Sequence, residues 1–448
     1  MKKLLIFFTI VVIIVIIVLA FLGRDYFSFL RLRQIKNPLQ GTLKIRYYPA
    51  QAQLQVNNRS YSSSSGVLNV SLPPGNYHLY LSAPGYSFWE QDIHLAAQEI
   101  KKLSPVFLFP IKWPQETLVT DNIAYFYPSA DYNQFLYITK DLKNNWCLYQ
   151  RQNKEKKCFW TKTILPKKVI VSPSFRKALI KFKDNDWQII FLPPALVSTP
   201  LSLNASLSNA LSHSENIPPS TPLLIKQALF SPNNENELIV RLENQILLFN
   251  FIQDTVQQLY QGETSPLLVI NNKIYFVAAN GLFRDISLSS SQTETLSLFS
   301  FSNNNLADIK IKKFPHRDIF LILDNSHRLY LLKPRQNIPL VVAENIQDMS
   351  ISPSGNDILL WNNNKIIVCS YPQLIRTESE IHSDILPHWF LNDNYFLINN
   401  GTTLNIYNPN SKRTWPLATD VQNHTFYYDP SVNYLFYLSP KGITKISL

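Results

Sequence analysis

From about residue 116 to the end of the chain one arrangement recurs, and it limits the fold more than any other feature: a turn, a hydrophobic run, a polar turn and a second hydrophobic run. Its clearest copy is Ile351-Ser352-Pro353-Ser354-Gly355-Asn356, followed by DILLW and KIIVCSY. The same plan stands at Tyr127-Pro128-Ser129, at Val171-Ser172-Pro173-Ser174 and at Phe230-Ser231-Pro232. Weaker copies follow at Ile270-Asn271-Asn272, Phe314-Pro315, Leu391-Asn392-Asp393 and Tyr428-Asp429-Pro430-Ser431. Most landmarks lie roughly 40 residues apart, and a four-stranded repeat of that length is a propeller blade. The count is about eight blades; seven is the alternative number and a two-sheet β-solenoid the competing architecture. One wider gap contains residues 193–222, whose Ser, Asn and Pro content reads as a low-complexity surface insertion. The last copy has only three strands of its own. A strand near residues 117–120 is therefore predicted to complete it and close the ring, which removes the open sheet edges.

The repeat is similar to the SP-x-(G/N)-(D/N)-hydrophobic pattern of TolB-like and related WD40-like propellers, although few copies keep the Gly and no WD dipeptide occurs. Ahead of it, residues 41–104 alternate with period two in LKIRY, AQLQV, VLNVSL and YHLYLS, which predicts short antiparallel strands. Turn residues at Pro49-Ala50, Asn57-Asn58, Pro74-Gly75 and Pro84-Gly85 separate them, giving a small β-sandwich. The segment resembles the PEGA domain, a module of bacterial and archaeal surface proteins. Ala52, Leu54, Val56 and Asn57 stand where that family has a short strand and turn, Leu72-Pro73-Pro74-Gly75-Asn76-Tyr77 where it has L-x-P-G-x-Y/H, and Pro84-Gly85-Tyr86 at its G-Y turn. The literal PEGA tetrapeptide is absent, and Ser62 to Ser65 replace the usual Gly-rich turn. The resemblance implies an extracytoplasmic spacer or binding module with no catalytic residues. Between the two domains, residues 105–115 hold Pro105, Pro110 and Pro114 and read as a short, stiff linker.

Residues 4–22 carry no charge and one polar side chain, Thr9. As a helix they span roughly 28 Å, the thickness of a hydrocarbon core, so residues 1–23 read as a transmembrane signal anchor and 24–40 as a juxtamembrane linker. A cleaved signal peptide is disfavoured by the length of the run and by a poor cleavage site at Leu19-Ala20-Phe21. Lys2 and Lys3 precede the run while Arg24, Arg31, Arg33 and Lys36 follow it, so the charge count favours a cytoplasmic C-terminal side. The short leading tail and the exported look of the downstream domain favour the opposite, a single-pass plasma-membrane protein with its bulk outside the cytoplasm.

Charged residues make up only 16% of the chain, below the usual quarter or so, and a hydrophobic content of 46% excludes general disorder. The formal net charge of +11 biases it toward anionic partners or simply keeps it soluble. Cys147, Cys158 and Cys369 show no CxxC metal spacing. Cys147 and Cys158 flank a predicted hairpin turn and could pair in an oxidising compartment, but buried free thiols are the favoured reading.

No G-x-S-x-G elbow and no HExxH occur, and Ser352 and Ser354 read as turn caps. His382 and His388 read as surface residues of a charged loop. No catalytic, metal or cofactor residue is assigned, and no cofactor is expected. The candidate binding residues are Arg151, Lys154, Lys156, Lys157, Lys167 and Lys168 with Trp146 and Trp160, extended by Lys162, Arg176, Lys177, Lys181, Lys183, Phe159 and Trp187. Basic residues interleaved with aromatics suit a polyanion or a sugar. The ordinary alternative, aromatics buried between blades under solvated lysines, is favoured. The expected function is a non-enzymatic, membrane-anchored cell-surface binding or scaffolding protein whose partner is a protein or an envelope polymer, with nucleic acid disfavoured if the domain is exported. A propeller hydrolase acting on surface glycans or peptides is the alternative.

Overall fold

The computed structural model describes residues 40–448, apart from 104, 130–132, 153–154, 184, 193–198, 214–222, 302–305, 335, 337, 363–364, 382, 384, 392, 394, 410, 423–424 and 430–433. The expected transmembrane run and nearly all of the juxtamembrane stretch lie outside the described residues. Among the described residues no helix is long and apolar enough to cross a membrane. The chain divides into two compact units, meeting in sequence at Trp113 and Pro114.

Among the described residues the first unit has eight strands: β1 (Gly41–Tyr48), β2 (Gln53–Val56), β3 (Arg59–Ser62), β4 (Val67–Leu72), β5 (Gly75–Ser82), β6 (Trp89–Leu95), β7 (Ile100–Lys102) and β8 (Val106–Phe107). One sheet contains β4, β1, β7 and β8; the other runs β3-β2-β5-β6. Period-two alternation puts Leu43, Ile45 and Tyr47 of β1 and Leu79 and Leu81 of β5 into one shared core. Turn chemistry sets the registers. Asn57 adopts φ +50° and its side-chain oxygen accepts the His78 N–H at 2.9 Å, while Tyr77 donates its hydroxyl to the Pro73 carbonyl at 2.6 Å.

The four strands expected to be antiparallel pair that way, β1 with β4 and β2 with β5, while β7 and β8 run parallel to β1 after the chain crosses from one sheet to the other. One expectation is corrected here. The stretch read as a linker supplies β8, and its Val106 and Leu108 belong to the sandwich core. Apolar side chains between the prolines have a face to bury, which a free linker would leave in water.

The second unit opens with β9 (Gln115–Val119) and continues as seven four-stranded antiparallel sheets of consecutive strands and an eighth that β9 completes. Sheets 1 to 8 begin with innermost strands at Ile123, Lys168, Gln227, Leu268, Lys310, Asp348, His388 and Phe426. Neighbouring sheets bury apolar side chains against each other: Leu136 and Trp160 of sheet 1 against Ile180 and Phe182 at sheet 2, Ile366 of sheet 6 against Phe396 and Ile398 of sheet 7. Sheet 8 packs on sheet 1 through Phe436 and Phe135, whose rings meet edge-on at 5.4 Å, so the series closes into a ring.

The serine turns stitch the ring together. Ser352 Oγ accepts the N–H groups of Asn356 and Asp357 at 3.2 and 3.0 Å, and Ser172 Oγ does the same for Arg176 and Lys177 at 3.3 and 3.1 Å. The second serine of each turn reaches the following sheet, Ser354 to the Asp393 carboxylate and Ser174 to that of Glu235. The hydroxyls thus satisfy buried backbone donors, the capping role expected of them.

Part of the low-complexity stretch is not surface filler. Leu201–Ser202 forms the outermost strand of sheet 2, and Leu203–Ser212 is a helix, α1, with Ser202 as its N-cap. Leu203, Leu207, Ala210 and Leu211 line one helical face and are buried with Trp187, Ile189 and Phe249. Asn204 accepts the Trp187 N–H at 3.2 Å and donates to Asn185 at 3.0 Å, fixing the helix to sheet 2.

Candidate functional site

The sequence-flagged cluster is spread over sheets 1 and 2, and its aromatics serve the packing between them. Trp160, 5% exposed, stacks on Phe182 at 4.8 Å, and Lys162 lies 4.3 Å over the same Phe182 ring while its ammonium is 3.5 Å from Asp186. Trp187 is buried and donates Nε1–H to the Ile225 carbonyl at 3.3 Å, with Lys181 over its ring at 5.3 Å. Half-buried Trp146 has Lys140 over it at 5.2 Å, and Lys157 covers Phe159 at 5.5 Å. Arg151 lies on the third strand of sheet 1; Lys167 and Lys168, both exposed, lead into sheet 2. Lys154 lies outside the described residues, as does the side chain of Lys156. A groove of about 490 Å³ opens beside the outer strand of sheet 1, and of the eight primary candidates only Trp160 lines it. Lys162 and Lys181 thus lie over the buried rings of Phe182 and Trp187, and Lys140 and Lys157 over the half-buried rings of Trp146 and Phe159.

The favoured reading of free thiols is overturned for two of the three cysteines. Cys147 and Cys158 form a disulfide with Cα atoms 6.1 Å apart; Cys369 alone is a buried free thiol, its pKa pushed up by burial. A bulge makes the bond feasible. Leu148 pairs with Trp160 but Tyr149 pairs with Cys158, so one extra residue in the outer strand turns Cys158 onto the face that Cys147 occupies.

A second region, unflagged by sequence, lies where the innermost strands of sheets 4, 5 and 6 begin. A groove of about 610 Å³ there is lined by Leu268, Lys310, Lys312, Asp324, His327 and Asp348, among others. Buried Asp324 accepts the N–H groups of Ser326 and Arg328 at 3.0 and 2.9 Å and so shapes the adjoining turn. His327 donates Nδ1–H to the Ile346 carbonyl at 3.0 Å. Lys310 is 2.9 Å from Asp348, which opens the innermost strand of sheet 6. Lys312 is exposed and has no ion-pair partner among the described residues. His388 is exposed, as expected, but it opens the innermost strand of sheet 7 rather than lying in a loop, and meets Phe426 edge-on at 4.9 Å; His382 lies outside the described residues. The His388 pKa is held below the usual imidazole value, first by desolvation and then by the charge of Lys312. The KIKK alternation around buried Ile311 was the available signal for this pair of lysines.

A ring of four-stranded antiparallel sheets, closed by a strand from the other end of the unit, defines a β-propeller. No protein-family model matches the sequence, and no curated protein matches it. Similar solved structures include BamB from Moraxella catarrhalis, 11% identical over 74% of this chain and 98% of that chain, TM-score 0.48. The Dos1 propeller is 10% identical over 75% and 94%, TM-score 0.48, and Saccharomyces cerevisiae Sqt1 10% identical over 74% and 97%, TM-score 0.47.

Proposed function

We propose that this is a membrane-anchored binding protein of the cell surface, in which a PEGA-like sandwich spaces an eight-bladed propeller from the bilayer. The propeller takes a segment of a protein or of an envelope polymer at the groove over sheets 4 to 6. The observation that carries the reading is the groove itself: strands of three successive sheets converge on it, and its exposed Lys312 is free to pair with a ligand anion. Of the three acids that line it, Asp308, Asp324 and Asp348, the last is engaged by Lys310 and Asp324 by the turn that it shapes, which suits holding a ligand better than hydrolysing one. The Cys147–Cys158 disulfide supports an oxidising compartment and therefore the extracytoplasmic orientation over the one that the lysine and arginine count favours.

Two measurements test the reading. Protease added to intact cells is expected to digest the chain beyond Trp113; protection there overturns the orientation. A photo-crosslinking side chain at position 312 is expected to trap a discrete partner in cells, whereas one at exposed Glu243 is not. Identical products from both positions overturn the groove as the binding site.

A further inference from the structure

We infer that the groove between sheets 6 and 7 is a binding site for neutral saccharide. It holds about 680 Å³, within the range of small-ligand sites, and lies between the outermost strand of sheet 6, Ile375–Glu380, and the outer half of sheet 7. Charge excludes the simplest ligands. Lys365 and Lys412 are balanced by Glu378 and Glu380, and Lys365 is ion-paired with Glu378, so neither a polyanion nor a polycation finds a matching wall.

What remains is hydroxyl and amide: Asn405 and Thr414 of sheet 7 and Ser379 of sheet 6 line the groove, together with the apolar Ile398 and Tyr407. Groups that both donate and accept, beside apolar side chains, complement a ring that carries hydroxyls on its edge and C–H bonds on its faces.

A second observation is independent of the groove's shape. Ser379 is 4% exposed and its Oγ has no hydrogen-bond partner in the protein. Buried polar atoms without partners are rare, and one lining a polar groove is explained by a ligand that supplies the missing bond. The site is separate from the groove over sheets 4 to 6 and stands without the reading of that groove.

The test is calorimetric titration of the full-length protein with maltohexaose, cellohexaose, chitohexaose and mannohexaose, with hexagalacturonate as the charged comparison. At least one neutral hexamer is expected to bind saturably and hexagalacturonate not at all. Ser379→Ala removes an unpaired hydroxyl, so it should leave the melting temperature unchanged or raise it while weakening that hexamer by about tenfold. Asn405→Ala should weaken it similarly, and Glu243→Ala, at an exposed position outside both grooves, should leave it unaltered. Failure of all four neutral hexamers to bind overturns the inference. So does a hexamer whose affinity survives both Ser379→Ala and Asn405→Ala, or one lost in Glu243→Ala.

Discussion

Sheets 8 and 2 both lack the ordinary outermost strand, and they solve the shortage differently. Sheet 8 borrows β9 from the beginning of the unit, pairing Val119 with Ile443 and Gln115 with Ile446. Sheet 2 keeps only Leu201–Ser202 and covers the remaining edge with α1. In both, the three inner strands stay regular. The inner strands bury both faces against neighbouring sheets, whereas the outermost strand has one free edge and can be replaced by anything that satisfies that edge and covers apolar surface.

The comparison breaks first at Gly442. There φ is +115° and an added Cβ would lie 1.8 Å from the Val119 carbonyl oxygen, so the borrowed strand fits only against glycine. Gly442→Ala should cost on the order of 4 kcal/mol in chemical unfolding and open the ring to proteolysis near β9. Equal protease resistance of variant and parent would mean that β9 is dispensable. The helix comes next: Leu207 is fully buried, and Leu207→Ala should cost about 3 kcal/mol. A loss below about 1 kcal/mol would make α1 an ornament rather than a substitute strand. Ser202→Ala, which removes the N-cap acceptor for the Ala205 N–H, should cost about 1 kcal/mol at most.

The smallest effect lies beside sheet 8, at His388 of sheet 7, whose ring meets Phe426. His388 has a folded-state pKa below its unfolded value of about 6.5, so the unfolded chain takes up the proton first. Its contribution is whole above about pH 6.5 and is lost as the pH falls through the folded value. His388→Asn should flatten that part of the stability profile; an unchanged slope between the two proteins would remove His388 from it.

Much of the ring was readable. Hydrophobic runs at a steady spacing, the Ser-Pro turns and the three-stranded final copy led to a sheet series and to a closing strand, found at Gln115–Val119. Helix α1 was hidden because Ser and Asn dominate its sequence, although Leu203, Leu207, Ala210 and Leu211 carry the helical period. The disulfide was hidden because a single bulge decides which face Cys158 takes, and strand alternation alone assigns it to the wrong one.

Local rules of period and turn chemistry act within a few residues, and by themselves they determined the strands, the capping serines and the repeat. Which groups meet across different sheets depends on packing between segments far apart in sequence. Only the tertiary structure brought Lys312 of sheet 5 within electrostatic reach of His388 of sheet 7 and put Ser379, without a hydrogen-bond partner, into a groove with Asn405.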